Sequence, residues 1–71
     1  MIYTNSTAEE IVGIILESQD GTGKYPAYEG DMGYYQDKKT DKWVAFDNIS
    51  CDCWIEEFDS EEEALKWINQ S

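Results

Sequence analysis

Residues 43–68 read WVAFDNISCDCWIEEFDSEEEALKWI, and this stretch decides the fold. Its second part predicts a helix over residues 60–70. Ser60 and Glu63 stand at capping-box spacing, and Glu61 and Glu62 load the first turn, where the helix dipole favours negative charge. Ala64, Leu65, Trp67 and Ile68 then fall on one apolar face. The first part predicts two strands, residues 42–47 and 51–58, separated by a turn around residues 48–50. Side chains alternate along a strand, so Val44 and Phe46 oppose Trp43, Ala45 and Asp47. By the same rule Cys51, Cys53 and Ile55 oppose Asp52, Trp54, Glu56 and Phe58. The simplest assembly buries Val44, Phe46, Cys53 and Ile55 under the helices. The other face then shows Trp43 and Trp54 as a cross-strand pair, framed by Asp47, Asp52 and Glu56. The plainer alternative places the tryptophans in the core, partly covered by a glycine-rich loop. A register slip of one residue would exchange the two faces.

Working outward, residues 34–37 predict a further strand, with residues 38–41 as a polar hairpin turn. Residues 19–33 hold Gly21, Gly23, Gly30, Gly33 and Pro26 and predict a long loop. Its Tyr25, Tyr28 and Met32 are expected to pack onto the body. Residues 6–18 predict a helix. Ser6 with Glu9 and Thr7 with Glu10 fit capping boxes, and Ala8, Ile11, Val12 and Ile15 repeat at helical spacing. The β-branched run and Gly13 lower helical propensity and make a strand over residues 11–16 the competing reading. The expected fold is α+β in the order α-β-β-β-α: a three-stranded antiparallel meander packed with two helices, one domain spanning residues 1–71. Connections this short cannot form parallel crossovers between those strands.

Composition limits the chemistry. The 71 residues carry a net charge of −11, with five lysines and neither arginine nor histidine. Such a chain repels nucleic acid and anionic membrane and attracts basic surfaces. It has no imidazole for general-base work near neutral pH and no guanidinium fork for phosphate. With 41% of residues hydrophobic and 14% aromatic, a small packed core is expected. The N-terminus has no basic region followed by an apolar run, and the apolar stretch at residues 11–16 is far shorter than the roughly 20 residues of a membrane helix. These features lead to the expectation of a cytoplasmic protein with reduced thiols.

Candidate chemistry is sparse. Cys51 and Cys53 could supply only half of a Cys₄ zinc site, so two small buried side chains are expected instead. The loop carboxylates do not follow the spacing of a calcium-binding loop. No metal, cofactor or catalytic residue is expected. The distinctive feature is eight carboxylates between Trp43 and Lys66 with no base among them: Asp47, Asp52, Glu56, Glu57, Asp59, Glu61, Glu62 and Glu63. An aromatic sheet face can stack nucleic-acid bases, but such platforms need a basic groove, and the charge here is the reverse.

The pattern of residues 43–68 resembles short uncharacterised acidic proteins carried by phages and mobile elements of Gram-positive bacteria. It comprises an aromatic strand ending Asp47-Asn48, a Cys53-Trp54 strand, and a capped acidic helix with Trp67. The resemblance implies a mobile-element context and no known catalytic residues. Acidic proteins of that context include DNA mimics that block restriction or CRISPR enzymes.

The expected function is therefore a non-enzymatic protein that binds a basic partner, such as a nucleic-acid-binding protein, with DNA mimicry as one form. The residues expected to carry it are Asp47, Asp52, Trp54, Glu56, Glu57, Glu61, Glu62 and Glu63, with Trp43. The alternative is an interaction module, or a homodimer, using the aromatic sheet face, in which buried aromatics supply most of the binding energy.

Overall fold

The computed structural model describes residues 1–70. Its elements are β1 (Ile2–Thr4), α1 (Asn5–Glu17), β2 (Met32–Gln36), β3 (Trp43–Asp47), β4 (Trp54–Phe58) and α2 (Glu61–Asn69). The α+β class is as expected, but the sheet has four strands in the order β1-β2-β3-β4. The added strand is β1, which pairs parallel with β2, so the sheet is mixed. α1 is the crossover that a parallel pair requires. The meander β2-β3-β4 is antiparallel, as its short connections dictate.

The two helices cover opposite faces of this sheet, which corrects the expectation that Val44, Phe46, Cys53 and Ile55 lie beneath both. Ala8, Ile11, Val12 and Ile15 of α1 pack with Phe46 and Cys53, joined at the margin by Tyr3, Tyr25 and Tyr35. Ala64 and Ile68 of α2 pack with Tyr34 and Ala45, joined by Met32, Trp43, Phe58, Leu65 and Trp67. β3 lies between these clusters. Its run Trp43-Val44-Ala45-Phe46 is apolar on both sides because both sides are covered. Val44, Ala45 and Phe46 are buried, Phe46 completely. Burial of such a side chain contributes about 1.5–3 kcal/mol. Phe46 lies across Gly33 of β2, its Cα partner. A Cβ at Gly33 would stand 2.8 Å from Phe46 Cζ and 2.9 Å from the Tyr3 carbonyl oxygen. Glycine at this position lets the ring lie directly on the strand.

α1 buries the predicted face, Ala8, Ile11, Val12 and Ile15, and the strand reading of residues 11–16 falls away. The two capping boxes do not form. The helix starts at Asn5, one residue earlier than predicted; its cap, Thr4, makes no side-chain bond, and no acid falls in the first turn. Asn5 itself takes φ 58°, which asparagine tolerates better than most residues. The chain thereby passes from strand to helix with no intervening loop. α2 follows its prediction more closely: Ser60 caps the helix by accepting a hydrogen bond from the Glu63 amide at 3.3 Å. Among the described residues no helix is long and apolar enough to cross a membrane.

β4 begins at Trp54 rather than at residue 51. Cys51 and Cys53 have φ of 65° and 48° and belong to the turn before it, so the expected Cys51, Cys53, Ile55 strand face does not exist as such. The long loop closes over this turn through Asn48, the one buried polar or charged residue among those described. Asn48 Nδ2 donates to the Tyr25 and Ala27 carbonyls, each at 2.8 Å, and Oδ1 accepts from the Cys53 amide at 3.0 Å. The Tyr25 amide donates to the Cys51 carbonyl at 2.8 Å, and the Gly30 amide to the Asn48 carbonyl at 3.0 Å.

Candidate partner-binding surface

The expected site residues divide among several environments. Strand pairing puts Trp54 opposite Asp47, Glu56 opposite Ala45, and Phe58 opposite Trp43. These six share the sheet face on which α2 lies. The Trp43–Trp54 pair therefore does not form, because the two rings stand at opposite ends of the β3–β4 ladder. Trp43 packs against Tyr34, with ring centroids 6.2 Å apart, within the α2 cluster. The expected open aromatic face is covered at that end by α2, and the glycine-rich loop covers the Asn48 turn instead.

Trp54 lies beyond the helix and is 60% exposed. Ile55, on the α1 face, is 38% exposed, because α1 packs on β1 and β2 and stops short of β4. Glu56 and Glu57 are exposed on opposite faces of the same strand. Among the described residues neither has an ion-pair partner. Glu57 reaches the neighbourhood of Tyr35: burial, then the charges of Glu9, Asp37 and Glu57, push the Tyr35 phenol up.

Two ion pairs stand at the ends of β4. Lys24 Nζ lies 2.9 Å from Asp52 Oδ1, and Ser50 Oγ donates to Asp52 Oδ2 at 3.2 Å. Lys42 pairs with Asp59 at the other end. The lysine hydrogen bonds hold both carboxyls below the ordinary aspartate range and raise both ammonium groups. Asp52 and Asp59 are thus locally neutralised. Asp47 is half-buried and accepts the Ile49 amide at 3.3 Å, a turn bond of its own. Glu61, Glu62 and Glu63 are exposed in the first turn of α2, where the helix dipole accounts for them. Of the eight carboxylates, only Glu56 and Glu57 lie in β4 itself; neither caps an element, and Glu57 feels Lys42, whose ammonium it helps to raise, without pairing with it.

The remaining chemistry is thin. The Cys51 and Cys53 thiols are free, and burial pushes both up, with Glu29 adding to Cys51 and Asp47 to Cys53. Thiols in that state are poor nucleophiles at neutral pH. No group of three or more metal-ligating side chains occurs among the described residues. A cleft of about 210 Å³ lies between the start of α1 and the β2–β3 hairpin, lined by Glu9, Tyr35, Lys38 and Trp43 among others. None of its residues belongs to β4.

Asn48 escaped the sequence reading as anything but a turn residue, and nothing local marks a buried asparagine. The double-sided burial of β3 did have a signal, its unbroken apolar run. No family model, curated protein or solved structure matches the chain.

Proposed function

We propose that the chain is a non-enzymatic acidic binding protein whose partner presents a basic surface. The observation that carries this reading is the state of β4. Glu56 and Glu57 have no ion-pair partner among the described residues and stand beside an exposed Trp54, while the neighbouring Lys24 and Lys42 are already engaged by Asp52 and Asp59. A cationic group arriving at the Trp54 end of this strand meets two carboxylates outside any ion pair among the described residues, while Lys42 and Lys66 stand toward the Phe58 end. Trp54 offers it an aromatic face, on which guanidinium and ammonium groups are attracted by the ring quadrupole.

Asp52 and Asp59, as ion-paired residues, interrupt the regular array of charge that DNA mimicry asks for. The reading favoured is therefore a local acidic and aromatic contact, with a nucleic-acid-binding protein as one class of basic partner. Charge steering makes association fast and salt-sensitive. The test is capture from a Gram-positive bacterial lysate on immobilised protein at low salt, followed by elution in a salt gradient. Basic proteins retained at about 50 mM and released by several hundred millimolar salt support the reading, since exposed charges are screened over ~3 Å at 1 M. Recovery of neutral or acidic proteins alone, or retention unaffected by salt, overturns it.

A further inference from the structure

β4 is the terminal strand of the sheet, so it pairs on one side only. Alternate backbone N–H and C=O groups along an antiparallel edge face outward without a ladder partner. Native proteins cover or blunt such edges; here α2 reaches β4 at Phe58, against which Trp67 packs, but Trp54, Ile55, Glu56 and Glu57 are all exposed. We infer that the β4 edge binds an extended basic segment of its partner by strand addition, making that segment the fifth strand of the sheet.

This inference rests on the acidic-surface reading above and adds the backbone to it. The charges select the occupant. A second copy of the chain would place Glu56 and Glu57 against the same residues of its neighbour, and like charges directly opposite in a sheet destabilise it. No residue of β4 is basic, so no register turns this repulsion into attraction, a shifted register only gives up paired residues, and each chain also carries −11. An incoming strand with adjacent cationic residues meets the reverse situation. Because Glu56 and Glu57 project to opposite faces, two consecutive Lys or Arg residues place one cation on each face. Residues beside that pair come against Trp54, Ile55 and Phe58, where apolar side chains fit. The recognised chemistry is thus a short extended segment with a dibasic centre and apolar or β-branched flanks. Main-chain bonds supply affinity and the side-chain pattern supplies selectivity, as in other strand-addition complexes.

The test uses the intact protein and a ten-residue peptide, acetylated and amidated, with a central Lys-Lys pair flanked by alternating Thr and Val. A second peptide is identical but N-methylated at four consecutive central amides, which keeps its charge and blocks ladder formation on both edges. Binding of each is measured by NMR at low salt, with amide exchange followed along the protein. Loss of two or three backbone hydrogen bonds is expected to weaken the methylated peptide by about tenfold or more. The unmodified peptide is expected to slow amide exchange selectively within Trp54–Phe58. Equal affinity for the two peptides overturns strand addition while leaving a basic partner in place. Failure of both peptides to bind also overturns it, whereas the acidic-surface reading stands or falls on the lysate capture. Protection spread evenly over the sheet, with no preference for β4, overturns the assignment of the edge.

Discussion

Asn48 joins three segments that share no strand or helix: the end of β3, the turn carrying Cys53, and the loop carrying Tyr25 and Ala27. Both donors of its amide and its carbonyl oxygen are engaged, and the side chain is fully buried. Removing it leaves two carbonyls and one amide without partners in a closed space, each an unmet group costing about 1–3 kcal/mol before relaxation or water entry. Asn48→Ala is expected to destabilise the protein by about 3 kcal/mol in urea unfolding, and Asn48→Asp by more, since a carboxylate would face the two carbonyls it replaces as donor. Trp54 makes the opposite case. It is among the largest side chains in the chain and is 60% exposed. Trp54→Ala is expected to cost less than about 1 kcal/mol in the same assay, in the range of ordinary surface substitutions, while weakening retention of basic proteins. A large loss of stability with Trp54→Ala would mean that the ring is structural and would remove it from the candidate surface.

Among the elements, α2 was the most legible in sequence. Ser60, Glu63 and the Ala64, Leu65, Trp67, Ile68 face all took the expected positions. Ser60→Ala is expected to lower stability by about 1 kcal/mol through loss of the bond to the Glu63 amide, read as a shift in the unfolding midpoint at unchanged slope. The buried face of α1 was legible too, but its start was not. Competing capping signals at Ser6 and Thr7 pointed past the true boundary, set by the strand that ends at Thr4. β1 left no usable trace, because three residues carry too little pattern and a parallel pair depends on a partner some 30 residues away in sequence. Without β1, α1 had no reason to occupy its own face, and both helices were expected on one side. The unbroken apolar run of β3 argued for two covered faces, but the alternation in its neighbours obscured it. The candidate surface was legible in part. Glu56, Glu57 and Trp54 could be named from sequence. The ion pairs that neutralise Asp52 and Asp59 could not, because Lys24 and Lys42 approach them only through the fold.

At the scale of the molecule, two electrostatic effects oppose each other. The three ion pairs among the described residues, all with at least one well-exposed partner, favour the folded state, but surface pairs typically contribute about 0–1 kcal/mol each. Against them stands the self-repulsion of a chain with 16 acids and five lysines, compacted to a radius of gyration of 11.4 Å. With a net charge of −11 repulsion is expected to be the larger effect, so added salt should raise the thermal midpoint between about 10 mM and 500 mM as the Debye length falls from ~30 Å toward ~4 Å. A falling midpoint would mean that the ion pairs dominate. The paired aspartates set the acid limit. Their lysine partners hold both carboxyls below the ordinary aspartate range in the folded state, so their contribution is present above that range and is lost as pH falls through the lowered values. Whether binding depends on this global charge or on β4 is answered most directly by two variants of identical net charge. Glu56→Lys/Glu57→Lys reverses the edge strand, and Glu10→Lys/Glu17→Lys reverses two exposed positions on α1. Salt-gradient retention of basic proteins should be abolished by the first pair of substitutions and preserved by the second. Equal loss in both variants would show that net charge alone binds the partner, and would contradict a site at β4.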